Sequence, residues 1–204
     1  MKLPLTGLDG LRFNHVVGSP AEHRGKRALR IVLAPDAKTP DEPNFALVDG
    51  APFANGTIEL ELASQIVPNS EPTVRGFVGV AFRIADDHGH FECVYIRPTN
   101  GRADDQLRRN RSIQYFAYPD FKFDRLRREA AGIYESYVDL ELGAWTRLRI
   151  EVAGDKARVF VHDALQPTLI VNDLKLGAAA RGAVGLFIDN GSEGFFRNLV
   201  ITPK

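Results

Sequence analysis

The chain is built from short runs of β-branched and aromatic residues that alternate with polar ones and are cut by Gly, Pro, Asn and Asp. Turn residues recur at intervals of roughly ten to fifteen positions, the rhythm of an all-β sandwich. The segment 56–63 alternates most plainly. Ile58, Leu60 and Leu62 fall on one side and Glu59 and Glu61 on the other, because successive strand side chains point to opposite faces. Segments 76–83 and 91–97 read as a hairpin joined by a polar turn at 86–90. A second hairpin runs through 145–152 and 156–162 around Gly154 and Asp155. Segments 28–33, 112–117, 134–140, 168–171, 182–188 and 194–201 bring the set to roughly eleven or twelve strands. Pro35 closes the first of these and opens a loop rich in Pro and Asp that ends at Pro43.

The alternation also assigns faces. With Val78, Val80 and Phe82 toward the core, Gly79, Ala81 and Arg83 point away from it; with Val94 and Ile96 inward, Cys93, Tyr95 and Arg97 point outward. Small residues on that outward face predict open room above the sheet. Residues 100–132 resist the strand pattern and carry eight basic against five acidic side chains. Within them, 124–131 reads as a short helix or as part of a long excursion. Excursions from an economical scaffold often hold functional groups, since loops carry sites that sheets keep in place.

Composition narrows the function classes. At 204 residues the chain is long enough for one domain, 1–204, that buries about 70% of its unfolded surface without a disulfide or metal. Its lone Cys93 has no internal partner. A hydrophobic fraction of 44% and a charged fraction of 25% exclude wholesale disorder, and no apolar run approaches the roughly 18 residues of a membrane span. With 26 basic and 26 acidic residues the net charge is zero, which argues against a nucleic-acid partner. Arg108, Arg109 and Arg111 near Tyr115 and Phe116 would suit phosphates and bases, but acids are interleaved with them. These arginines fit better as a brace for the loop, or as a contact with another protein or a second copy of the chain. Residues 1–7 lack the apolar stretch of about 7–15 residues in a secretory signal, which with a single Cys points to the cytoplasm unless a signal peptide has been removed.

Taken together, 76–83 with 91–97, 145–152 with its hairpin partner, and 182–186 leading into 195–201 resemble the concanavalin A-like lectin/glucanase superfamily, in particular laminin-G-like domains and bacterial domains related to glycosidases. The resemblance covers about 55–201. It implies an antiparallel jelly-roll β-sandwich with one curved sheet whose concave face holds carbohydrate in many members. The glucanases of that superfamily carry a Glu-x-Asp-x-x-Glu strand; no such triad occurs here, so no hydrolase site is carried over.

The candidate binding residues are Glu59, Glu61, Arg83, Tyr95 and Arg97, with Gln114 and Tyr134 as neighbours, expected to gather on the outward face. Aromatic rings cover the apolar side of a sugar while Arg, Glu and Gln hydrogen-bond its hydroxyls, and paired arginines favour an acidic sugar. The structural alternative is a cross-strand ion lattice. Glu59 and Glu61 stand about 6–7 Å apart at their bases, between the spacings of retaining and inverting glycosidases; a lyase would instead use Tyr95, Tyr115 or Tyr134 with Arg97 and Gln114. The expected partner is a carbohydrate or another small polar ligand, and no catalytic residue is assigned. No nucleophile elbow, phosphate loop or dinucleotide fingerprint occurs, so no cofactor is expected. His88 and His90 beside Asp86 and Asp87 read as solvent-facing turn residues rather than metal ligands.

Overall fold

The computed structural model describes every residue except 36 and 38–40. Those four belong to the loop expected between Pro35 and Pro43, so that part of the expectation lies outside the described residues. In chain order the strands are β1 (Lys2–Leu3), β2 (Leu11–Asn14), β3 (Val16–His23), β4 (Lys26–Leu33), β5 (Phe45–Phe53), β6 (Gly56–Ile66), β7 (Val78–Ile84), β8 (Phe91–Ile96), β9 (Ile113–Tyr118), β10 (Glu135–Ser136), β11 (Thr146–Ala153), β12 (Lys156–Val161), β13 (Leu169–Val171), β14 (Gly182–Ile188) and β15 (Ser192–Pro203). Short helices α1 (Pro98–Gly101), α2 (Gln106–Arg109) and α3 (Phe123–Glu129) lie in the excursion. No helix among the described residues is long and apolar enough to cross a membrane.

Two antiparallel sheets result. The first runs β13-β12-β11-β6-β15-β4-β3, with β1 added along β15; the second runs β10-β9-β8-β7-β14-β5-β2. The sequence pattern misses β1, β2, β3 and β5. β3 is an edge strand in which Pro20 and few apolar residues hide the alternation, and only an edge tolerates that proline. Of the strand expected over 134–140, only Glu135 and Ser136 pair, against Gln114 and Ile113 of β9.

In the first sheet, Ile58, Leu60 and Leu62 are buried in register with Ile150, Leu148 and Phe196. Glu59 and Glu61 stand on the opposite, outward face, level with Arg149 and Arg147. β7, β8 and most of β9 are buried on both faces. One row of the second sheet is Val80, Val94, Tyr115 and Leu186, and the next is Gly79, Tyr95, Gln114 and Phe187. The first row faces the other sheet, where Tyr115 meets the segment following β13: its hydroxyl accepts the Lys175 N–H at 2.7 Å and donates to Glu92. Glu92 also accepts the Leu176 N–H.

The second row is where open room was expected, and it is filled. Phe45, Phe91, Phe116, Phe187 and Tyr95 lie together with ring centres 5.4–5.8 Å apart, mostly edge to face, the arrangement favoured by ring quadrupoles. Gly79 does not leave a vacancy; it lets the strands close, since a Cβ there would fall 2.2 Å from the Val94 carbonyl oxygen. Small residues opposite large ones made a floor of rings rather than a hollow.

Arg83 also departs from expectation. It sits at φ +54°, in the left-handed region, where the register of β14 slips between Ala183 and Gly185. The turn of the backbone carries its guanidinium away from Tyr95 and into the sandwich edge. There it donates to the carbonyls of Ala54 at 2.9 Å, Gly177 at 3.1 Å and Gly154 at 2.6 Å, and more weakly to Asn55 Oδ1. Arg83 is a structural tie, not a binding residue. Arg83→Ala removes the guanidinium donor from the half-buried carbonyls of Ala54 and Gly154, leaves Gly177 with only the Ala180 N–H, and takes away one of the two positive charges acting on Glu92, so urea denaturation should show a loss of about 3 kcal/mol. A loss below about 1 kcal/mol would contradict this assignment.

Candidate functional site

Beyond the ring floor, toward the end of β8, a pocket of about 380 Å³ opens between the second sheet and the excursion, within the range of roughly 300–1,000 Å³ usual for small-ligand sites. Tyr95 and Arg97 form its wall from the sheet; Asn100, Arg108 and Arg111 come from the excursion, and Asp189 and Asn190 from the turn after β14. Asp41, Thr73, Arg75, Phe77, Phe123 and Arg127 complete the lining.

Arg97 is 4% exposed and holds this end together. It donates to the Tyr95 hydroxyl and Gln114 Oε1, and to Glu135 Oε1 at 3.2 Å. Glu135 is shared: Arg127 donates to the same oxygen, and Arg111 lies 3.5 Å from the other. Tyr95, Arg97 and Gln114 are thus brought together as the alternation suggests. Four of the expected residues are not. Glu59 and Glu61 belong to the other sheet's outward face, Arg83 is turned into the sandwich edge, and the Tyr134 hydroxyl donates to Asp173 at 2.6 Å beside Tyr115. Their faces follow from strand alternation, but which sheet each strand joins does not.

Around Glu59 and Glu61 lies a shallower depression of about 250 Å³. Several of its charges are paired. Glu61 is bonded by Lys26 at 3.1 Å and Asn198 at 2.8 Å, and Arg147 pairs with Asp163 at 2.8 Å. Burial alone would raise the Glu61 carboxyl, but the Asn198 and Lys26 bonds outweigh it and hold it below its ordinary value. The lattice weighed in the sequence, Arg83 and Arg97 against Glu59 and Glu61, does not form; Glu61 pairs instead with Lys26 and Arg197, and it is no proton donor.

Asp41 and Asp189 behave in the opposite way. Both are buried, at 1% and 2% exposure. Asp189 accepts the N–H of Asp41 at 2.9 Å and of Asn190 at 2.7 Å. Neither carboxyl oxygen of Asp41 has a well-formed hydrogen bond among the described residues. Burial pushes Asp41 up to about 6, against the pull of Arg97; burial followed by the charge of Asp41 pushes Asp189 up to about 7. Sequence reading passed over Asp41, although it lies in the Pro- and Asp-rich loop. Elsewhere, His88 Nδ1 meets Asn14 Oδ1 at 3.2 Å, and no group of three or more metal-ligating side chains occurs among the described residues.

No protein-family model and no curated protein matches the chain. Solved structures do. The carbohydrate-binding module CBM66 from Bacillus subtilis superposes with a TM-score of 0.57 at 14% identity, covering 92% of this chain and 94% of that one. A Bacillus subtilis protein of unknown function with a galectin-like fold gives 0.58 at 10% identity, covering 98% and 94%. The chain has the concanavalin A-like fold. The β-glucanase of Bacillus licheniformis agrees, with a TM-score of 0.53 at 10% identity over 100% of this chain and 98% of that one. Within this jelly roll, the ring floor and the arginine pocket lie on the face of the second sheet turned away from the first.

The acids make a prediction about stability. A carboxyl raised on folding keeps its proton where the unfolded chain has already lost it, so the folded state is favoured least once the pH exceeds the folded value. Stability should therefore fall as pH rises from about 4 to about 7, by on the order of 3 kcal/mol per group. Thermal melts of Asp41→Asn and Asp189→Asn should be flatter over that window than wild type. A wild-type melting temperature that rises steadily across the window, unchanged by either substitution, would contradict the assignment.

Proposed function

We propose that the chain is a carbohydrate-binding domain and that its sugar sits in the pocket beside Arg97. The carbohydrate-binding CBM66 module and the β-glucanase, which share this fold, support the ligand class. The observation that carries the reading is the pocket itself. Phe77 and Phe123 offer apolar rings, while Asn190 and Thr73 offer neutral hydrogen-bonding groups beside them. A pyranose presents the matching surface, one apolar face and a rim of hydroxyls. Phe77→Ala and Asn190→Ala should each weaken binding at least tenfold in affinity electrophoresis against the polysaccharide that retards wild type, while Glu59→Gln leaves it unchanged. Loss of binding in Glu59→Gln alone would move the site to the other sheet.

One observation favours a hydrolytic form of the same reading. Asp41 and Asp189 line the pocket, and burial raises them to about 6 and about 7, toward the range in which a general acid works. If the domain cleaves its ligand, reducing-end release should drop about 100-fold or more in Asp41→Asn or Asp189→Asn. Undiminished release would remove the two acids from the chemistry, and absence of release in wild type would leave binding as the activity.

A further inference from the structure

The arginines of the pocket are not equivalent. Arg97, Arg111 and Arg127 share Glu135, which neutralises part of their charge. Arg75 and Arg108 pair with no carboxylate among the described residues. Arg75 Nη1 donates only to the carbonyls of Pro72 and Val74, and Arg108 makes long contacts, 3.4 Å each, to Asn100 Oδ1 and the Thr99 carbonyl, beyond the hydrogen bonds of its own helix. Both are half-buried, and both line the pocket. Burial lowers the Arg75 pKa, and the charges of Arg108 and Arg97 lower it further. Arg75 and Arg108 are thus held near Arg97 with no carboxylate paired to either of them among the described residues. Even with Asp41, Asp189 and Glu135 all ionised, the five arginines exceed the three carboxylates by two; Lys122 and Asp124, which also act on Asp41, cancel each other.

Resting on the carbohydrate reading, we propose that the pocket takes an acidic saccharide, with Arg75 and Arg108 receiving the carboxylate of a uronic acid residue. A planar carboxylate matches the fork of a guanidinium, and in this half-buried site it would relieve the repulsion among Arg75, Arg97 and Arg108. The neutral side chains Asn190 and Thr73 remain for the hydroxyls of the same sugar. The preference for acidic glycan therefore comes from Arg108 of the excursion and Arg75 of the segment between β6 and β7, not from Arg83, whose donors are committed to backbone carbonyls.

Affinity electrophoresis against paired polysaccharides tests this: polygalacturonate, alginate and glucuronoxylan, each beside its carboxyl-reduced neutral form, with dextran sulfate as a carboxylate-free polyanion. Wild type should bind at least one acidic member tenfold or more tighter than its reduced partner, and the difference should shrink with added salt. Arg75→Gln combined with Arg108→Gln should bring the ratio toward one with an unchanged melting profile. Arg75→Lys, which keeps charge but loses the fork, should recover only part of it. Equal binding of acidic and reduced forms would overturn the uronate assignment and leave the carbohydrate reading standing. Retardation by dextran sulfate alone would overturn it in favour of a general polyanion site, and no retardation by any member would overturn both readings.

Discussion

Glu135 is the carboxylate on which the pocket depends. It lies in a two-residue strand at the edge of the second sheet and is 9% exposed. Arg97 reaches it from the end of β8, Arg111 from the turn after α2 and Arg127 from α3. Three separate parts of the chain are thereby fixed to one point. A buried ion pair contributes little net stability compared with apolar packing, but removing one partner is costly because the others are left uncompensated. Its structural value here is positional. Arg97 and Arg127 also share Gln114 Oε1, so the excursion is held against a sheet residue whose own position is set by strand pairing.

That constraint explains why the binding region lies at one end of the sheet. Along β7, β8 and β9 the outward positions hold Gly79, Ala81, Tyr95, Cys93 and Phe116, with Phe187 and Phe45 arriving from β14 and β5. Rings from neighbouring strands interlock over the small residues, and the same burial keeps the Cys93 thiol protonated. Apolar close packing makes this part of the face inert. Only where Arg97 ends β8 and the chain leaves the sheet do polar groups outnumber rings, and there the excursion walls off a pocket instead of lying flat.

Much of this was readable in the sequence, for a definite reason. Period-two alternation is local, so it located β6, β7, β8, β11, β12 and β14 and put Tyr95 and Arg97 on the same side of their strand. Sheet membership is not local. Nothing within 56–63 says that β6 lies between β11 and β15 in the sheet opposite β8, and Glu59 and Glu61 were therefore grouped with residues that stand across the sandwich from them. Arg83 was misplaced by a backbone irregularity: its left-handed φ breaks the alternation that had assigned its face. The strand expected over 134–140 shrank to a pair because Tyr137 and the residues after it leave β9. Asp41 and Asp189 carried no sequence signal, since what distinguishes them is burial created by tertiary packing. Arg108 and Arg111 were visible as a basic cluster, but the direction of Arg111 into a pocket depended on Glu135 and that of Arg108 on the path of the excursion past Thr99 and Asn100.

The location of the site is the central claim, and amide chemical-shift mapping reads it without prior choice of variants. Titration with a polysaccharide fragment that binds should shift the amides of 73–77, 97–111 and 189–190 and leave 57–61 and 147–149 in place. Shifts concentrated at 57–61 and 147–149 would put the ligand on the first sheet and contradict the account.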